Sequence, residues 1–113
     1  MADTTDMLIM TSPLPAALKI EKIFGLVTGL TVRSRGIGGK FTASLESMGG
    51  GEITSYVTEV EKARYEAIER MKAKAAALGA NAVVSVDVET SSMGQTNSMM
   101  LIAATGTAML IKK

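Results

Sequence analysis

The chain has no cysteine, no histidine and no tryptophan. Those absences exclude a disulfide, a thiolate nucleophile, a Cys/His zinc site, an imidazole general base and a haem–histidine ligand. A chain without cysteine suits a reducing compartment, the cytoplasm. Two Phe and two Tyr leave little for stacking on nucleic-acid bases, and 12 basic against 11 acidic residues give a net charge of +1. No face is committed to a polyanion by charge, so no nucleic-acid partner is expected. The most apolar run, Met99 to Ile111, is interrupted by Thr105, Gly106 and Thr107 and falls short of the ~20 residues that span a bilayer. The first six residues carry Asp3 and Asp6 where a secretion signal carries positive charge. These readings predict a soluble cytoplasmic protein with no membrane partner.

What the chain does have is the composition of one folded unit. At 113 residues, 47% apolar and 20% charged, it predicts a single domain over 1–113, with 1–6 as a flexible polar tail. Its strongest pattern runs from Glu52 to Val88. Ile53, Val57, Val60, Ala67, Met71, Ala75 and Leu78 recur at the spacing of one helix face, predicting a helix roughly 40 Å long. Glu66 ahead of Arg70 and Glu59 ahead of Lys62 are spaced to pair on its polar side. Gly79 ends the helix, and Ala82, Val84, Val86 and Val88 then alternate with Val83, Ser85, Asp87 and Glu89 as on a half-buried strand.

Upstream, Met7 to Thr11 predicts a short strand closed by Ser12-Pro13-Leu14-Pro15. Lys19 to Val32 predicts a long one, with Ile20, Phe24, Leu26, Leu30 and Val32 facing the core and Gly25 and Gly29 as bends or points of close approach. Residues 33–51 are glycine-rich, with Phe41, Leu45 and Met48 spaced as on a short helix. Ser91 to Asn97 reads as a turn between two antiparallel strands. The last strand, Ser98 to Ile111, is apolar on both parities. One helix covers only one face of a sheet, so the surplus implies further cover from within the chain or a subunit interface. The interface is the expectation.

Five blocks in order carry a resemblance: Gly25-Leu26-Val27-Thr28-Gly29, Gly50-Gly51, Leu78-Gly79-Ala80-Asn81-Ala82-Val83-Val84, Ser98-Met99, and Thr105-Gly106-Thr107-Ala108. Together they resemble the YbjQ family, also called UPF0145, which is described as a heavy-metal-binding domain. The resemblance implies an α+β subunit in two layers, one long helix packed on an antiparallel sheet, akin to dodecin subunits and assembled as a homopentameric ring. It implies no particular activity. This chain departs from the family's pattern in having Phe24 where a cysteine is often found, Glu52 where Gly-Gly is often followed by arginine, and Asn81 within what is usually Ala-Asp-Ala. A soft thiolate site is therefore missing.

Candidate sites are few. Asp87 and Glu89 share one face of a strand about 7 Å apart and offer hard oxygen ligands for a metal ion, or acid–base groups. A solvated outer face explains them as well. Arg33-Ser34-Arg35-Gly36-Ile37-Gly38-Gly39-Lys40 is basic and glycine-rich but lacks a phosphate-loop signature, and reads as a connecting loop. Met93, Met99 and Met100 among nine methionines offer thioethers, although methionine more often fills gaps in packing. Ser12 and Ser98 have no histidine partner. No catalytic group is assigned and no cofactor is expected, since a metal has no support from Cys or His. The expectation is a non-enzymatic, self-associating binding or scaffold protein, its partner a second copy, with an unknown small ligand or ion at subunit junctions. The rivals are a metal carrier using oxygen or thioether ligands, and an enzyme whose site assembles between subunits from Asp87, Glu89, Lys40 and Arg33.

Overall fold

The computed structural model describes residues 7–34, 50–93 and 99–112. Among them the chain forms β1 (Leu8–Ile9), β2 (Lys19–Ser34), α1 (Gly50–Leu78), β3 (Ala82–Met93) and β4 (Met99–Lys112). The strands make one sheet in the order β1-β3-β4-β2. β4 runs antiparallel to both neighbours, while β1 joins β3 in parallel. The sheet is thus mixed, and the expectation of a wholly antiparallel one is corrected. The parallel pair is made by the two-residue β1, which is separated from β3 by β2 and α1 and joins it in the same direction.

α1 crosses β2 and β4 and touches β3 only lightly. Its buried stripe is Ala63, Ala67, Met71 and Ala75, flanked by half-buried Val60 and Ile68. The small residues matter, because three alanines let the helix axis approach the sheet closely. The strand opposite answers with Gly29, where a Cβ would run into the Ala67 carbonyl oxygen and the Met71 backbone nitrogen. Gly79, at φ +98°, adopts the left-handed conformation that ends the helix at the expected place. Val57 and Leu78, expected in the stripe, are exposed, and the side chain of Ile53 lies outside the described residues, as do the short helix expected at Phe41–Met48 and the tail 1–6.

The facing of β2 differs from the expectation. Its pairing with β4 slips between Ile20 and Lys22 and again between Ile23 and Gly25, where Gly25 has φ +106°. A bulge adds one residue to one strand and so exchanges which parity faces the core. Beyond Gly25 it is Val27, Gly29 and Thr31 that turn toward α1 and are buried. Of the five residues expected inward, only Phe24 packs against the core. Ile20, Leu26, Leu30 and Val32 are exposed. β3 shows the same effect. Its register shifts between Val84 and Asp87 around Ser85, which has φ +53°. Val83, Val86 and Val88 therefore pack toward the helix, whereas Ala82 and Val84 pack on the other side.

Both faces of β4 are used. Met100, Ile102, Ala104 and Ala108 lie under the helix. Met109 and Ile111 point away from it and are covered by Leu8, Met10, Leu14 and Leu18. The N-terminal segment thus supplies intramolecular cover at one end of the second face. It is held there by backbone bonds from Met10 N to Val83 O (3.1 Å), Val86 N to Met10 O (3.0 Å) and Ser85 N to Ser12 O (3.0 Å). None of the helices among the described residues is long and apolar enough to cross a membrane.

Candidate functional site

Among the described residues, the face of the sheet turned away from α1 is covered at one end only. Across β3, β4 and β2 it presents the cross-strand rows Val84–Thr107–Leu26, Asp87–Thr105–Thr28, Glu89–Ala103–Leu30 and Ser91–Leu101–Val32. Along its outer strand, Ile20, Ile23, Leu26, Leu30 and Val32 are all exposed, Leu26 by 76%. Side chains of this size seldom line up in water without a partner. Leu101 and Ala103 continue the apolar surface onto β4, half-buried.

Asp87 and Glu89 stand at the opposite border of this open face. The regular pairing of both with β4 keeps them on the same side, as the alternation of a strand requires. Both are exposed. Their cross-strand neighbours are Thr105 and Ala103, so one hydroxyl and no further carboxylate joins them on β4. Among the described residues no group of three or more carboxylates, histidines or cysteines is placed to hold a metal ion. The donor set fits a heavy-metal centre poorly: a soft ion asks first for thiolate or imidazole, of which the chain has neither, and leaves only methionine thioethers. Position 24, where the resemblance implies a cysteine, holds a phenylalanine ring. That ring packs near Gly79 and carries the Lys22 ammonium 5.1 Å from its centroid. Met100 is buried in the core and Met99 is exposed on the other face, so those two thioethers do not converge; Met93 pairs opposite Met99, with its side chain outside the described residues.

Arg33 is not part of this surface. It lies opposite Met100, on the helix side of the sheet, away from Asp87 and Glu89. Its guanidinium meets Glu59 Oε2 at 3.4 Å and Glu66 Oε2 at 3.0 Å. Glu66 is the hub of a charged cluster along the flank of α1 beside β2. Its Oε1 accepts from Thr31 Oγ1 at 2.5 Å and pairs with Arg70 Nη2 at 3.1 Å, while Arg70 Nη1 donates to the Leu30 carbonyl at 2.6 Å. The Thr31 hydroxyl bond does most to hold the Glu66 carboxyl below its ordinary value, against partial burial, with Arg33 and Arg70 adding to the effect. The Glu66–Arg70 spacing was legible in the sequence, and so was the Glu59–Lys62 pair, at 4.0 Å. The partners on β2 were not, because Thr31 and Arg33 lie more than thirty residues away along the chain.

The enzyme reading needed Asp87, Glu89, Arg33 and Lys40 together. One chain separates Arg33 from the two acids by the thickness of the sheet, and Lys40 lies outside the described residues, as do Gly36–Gly39.

The family model described as "Putative heavy-metal-binding", YbjQ, matches residues 7–112. The UPF0145 protein of Sulfurisphaera tokodaii is 47% identical over 109 residues, covering 96% of this chain and 94% of that protein. The UPF0145 protein of Thermoplasma acidophilum is 41% identical over 108 residues (96% and 89%), and that of Bradyrhizobium sp. 41% over 106 (94% and 94%). Among solved structures, the fold is similar to that of a DUF74-family protein of unknown function from Pediococcus pentosaceus. That match has a TM-score of 0.63 and 18% identity over 94% of this chain and 98% of the other.

Proposed function

The chain belongs to the YbjQ (UPF0145) family, and from that premise we propose that it is a non-enzymatic subunit that associates with copies of itself through the open face of its sheet. One observation carries the proposal: the exposed row Ile20, Ile23, Leu26, Leu30 and Val32 on the sheet's second face. Burying on the order of 800 Å² per partner is typical of a stable contact. A face that meets a different surface of the next copy either closes into a ring or grows into a filament. A closed ring of dodecin-like subunits is the reading the family resemblance favours, with five as its count. The small ligand or ion belongs at the junctions, where Asp87 and Glu89 border the contact and offer hard oxygen donors. The location proposed is the cytoplasm, in keeping with a chain that contains no cysteine.

Light scattering coupled to size exclusion, together with native mass spectrometry, tests this at micromolar protein. The expected result is a single closed oligomer, and mass spectrometry also reveals any ligand carried with it. Leu26→Lys should yield smaller species with an unchanged circular dichroism spectrum. A folded monomer from the unmodified chain would sink the proposal. Heavy-metal binding is not part of it, since the chain has no thiolate or imidazole to hold such an ion. Elemental analysis showing stoichiometric zinc or copper in the purified protein would reverse that judgement.

A further inference from the structure

We propose that Arg70 closes the outer edge of β2 to strand addition, so that copies of this chain meet through the open face and not edge to edge. The second half rests on the self-association reading above, and the first half stands without it.

β2 is the last strand in the sheet order, so one side of its backbone has no strand partner among the described residues. From Leu26 to Val32 it carries no charge, no proline and no irregularity of pairing. A long apolar edge of that kind is a template for pairing with another chain. The other border of the sheet is blunted differently: residues 8–12 bond to β3 as far as Val86, and Asp87 and Glu89 follow at once. Among the described residues, β2 between Leu26 and Val32 has neither device.

Arg70 guards it instead. The Leu30 carbonyl accepts from Arg70 Nη1 at 2.6 Å, so it points away from β4. In an antiparallel ladder such an outward carbonyl is what an incoming strand would use. It lies near the middle of the uncharged stretch. The guanidinium is not free to swing aside, because Glu66 Oε1 holds its other arm at 3.1 Å, and Glu66 is itself held by Thr31 and Arg33. A newcomer would have to break a charge-assisted bond and desolvate an arginine to reach the edge. The Leu30 side chain, meanwhile, stays exposed on the open face. One residue thus has its backbone withheld and its side chain offered.

The test compares Arg70→Ala with Arg64→Ala, which removes the same charge from an exposed position of the same helix. Growth of large species is followed by light scattering and thioflavin fluorescence, with circular dichroism confirming the fold. Losing one charge-assisted hydrogen bond should raise the open-edge population, and hence the growth rate, about tenfold or more for Arg70→Ala alone. If Arg70→Ala unfolds, Arg70→Gln takes its place, since it keeps the stem and an amide donor but loses the second arm; an intermediate rise is then expected. Growth equal to that of the unmodified chain, or an equal rise in Arg64→Ala, overturns the proposal. A monomeric unmodified chain counts against the self-association reading but leaves this comparison intact.

Discussion

Gly29→Ala adds one methyl group where the helix rests on the sheet. In a strand interior the change ought to help, since glycine there is about 0.5–1 kcal/mol worse than alanine. Here the new carbon would overlap two backbone atoms of α1, the Ala67 carbonyl oxygen and the Met71 nitrogen, with the Met71 Cα at 3.0 Å. No side chain can rotate out of the way, so the helix must retreat, by about an ångström to restore ordinary contact. A gap of that size forfeits a quarter to a half of each dispersion contact beneath the helix. Those contacts belong to Ala63, Ala67, Met71 and Ala75 on one side and Val27, Ile102 and Ala104 on the other. Overpacking of this kind typically costs 1–3 kcal/mol and more when backbone must move, so the strain outweighs the glycine gain by about 2 kcal/mol. For a chain near a hundred residues that is a fall in melting temperature of about 10 °C. Thermal melts by circular dichroism at fixed protein concentration measure it, with Thr28→Ala as the neighbouring control. A Gly29→Ala protein that melts at or above the parent temperature would refute the close-approach reasoning.

Adjacent residues of β4 should fail in different ways. Ile102→Asp puts a carboxylate into a site with 0% exposure and should prevent folding, whereas Leu101→Asp, on the half-buried open face, should leave the dichroism spectrum intact and reduce the oligomer seen by light scattering. Asn81→Asp, mild by composition, removes the amide that donates to the Ile111 carbonyl at 2.9 Å and sets a charge beside it, while the acceptor for the Ile111 N–H at 2.8 Å remains. A loss of about 1–3 kcal/mol in urea unfolding is expected, and an unchanged midpoint would contradict it. Because the folded protein holds Glu66 below its ordinary value of 4.5, the stability it contributes is full above that value and is lost as the pH falls through the lowered one. Thr31→Val removes the largest cause, so carboxyl NMR should show the Glu66 titration moving up, and the acid loss tied to it should become smaller and finish at higher pH.

Where the sequence misled, the reason was local and small. Leu26, Leu30 and Val32 share a parity with Phe24, and counting by twos along the strand puts all four inside. The bulge at Gly25 breaks the count, so three of them face out. Ser85 does the same to β3, splitting Ala82 and Val84 from Val86 and Val88. The glycine itself was visible as a candidate bend, but whether a bend changes the parity depends on the pairing with β4, which lies some eighty residues away. The surplus apolar face of β4 was legible, yet its partial cover by Leu8, Met10, Leu14 and Leu18 was not, because nothing in those residues names the surface they land on. Asp87 and Glu89 could be placed on one face from spacing alone. That Arg33 sits across the sheet from them could not.

By itself, then, the sequence determined what depends on neighbours along the chain: the long helix, its stop at Gly79, the strands on either side, the Glu66–Arg70 pair, and the exclusion of thiolate and imidazole chemistry by composition. These follow from periodicity, from backbone conformational limits and from which atoms are present. Tertiary structure alone decided which parity of each strand is inside, why Gly29 must lack a side chain, and how Arg70 comes to cap a carbonyl forty residues away. Each of those is a relation between surfaces brought together by pairing and packing, and a single added residue in one strand is enough to reverse it.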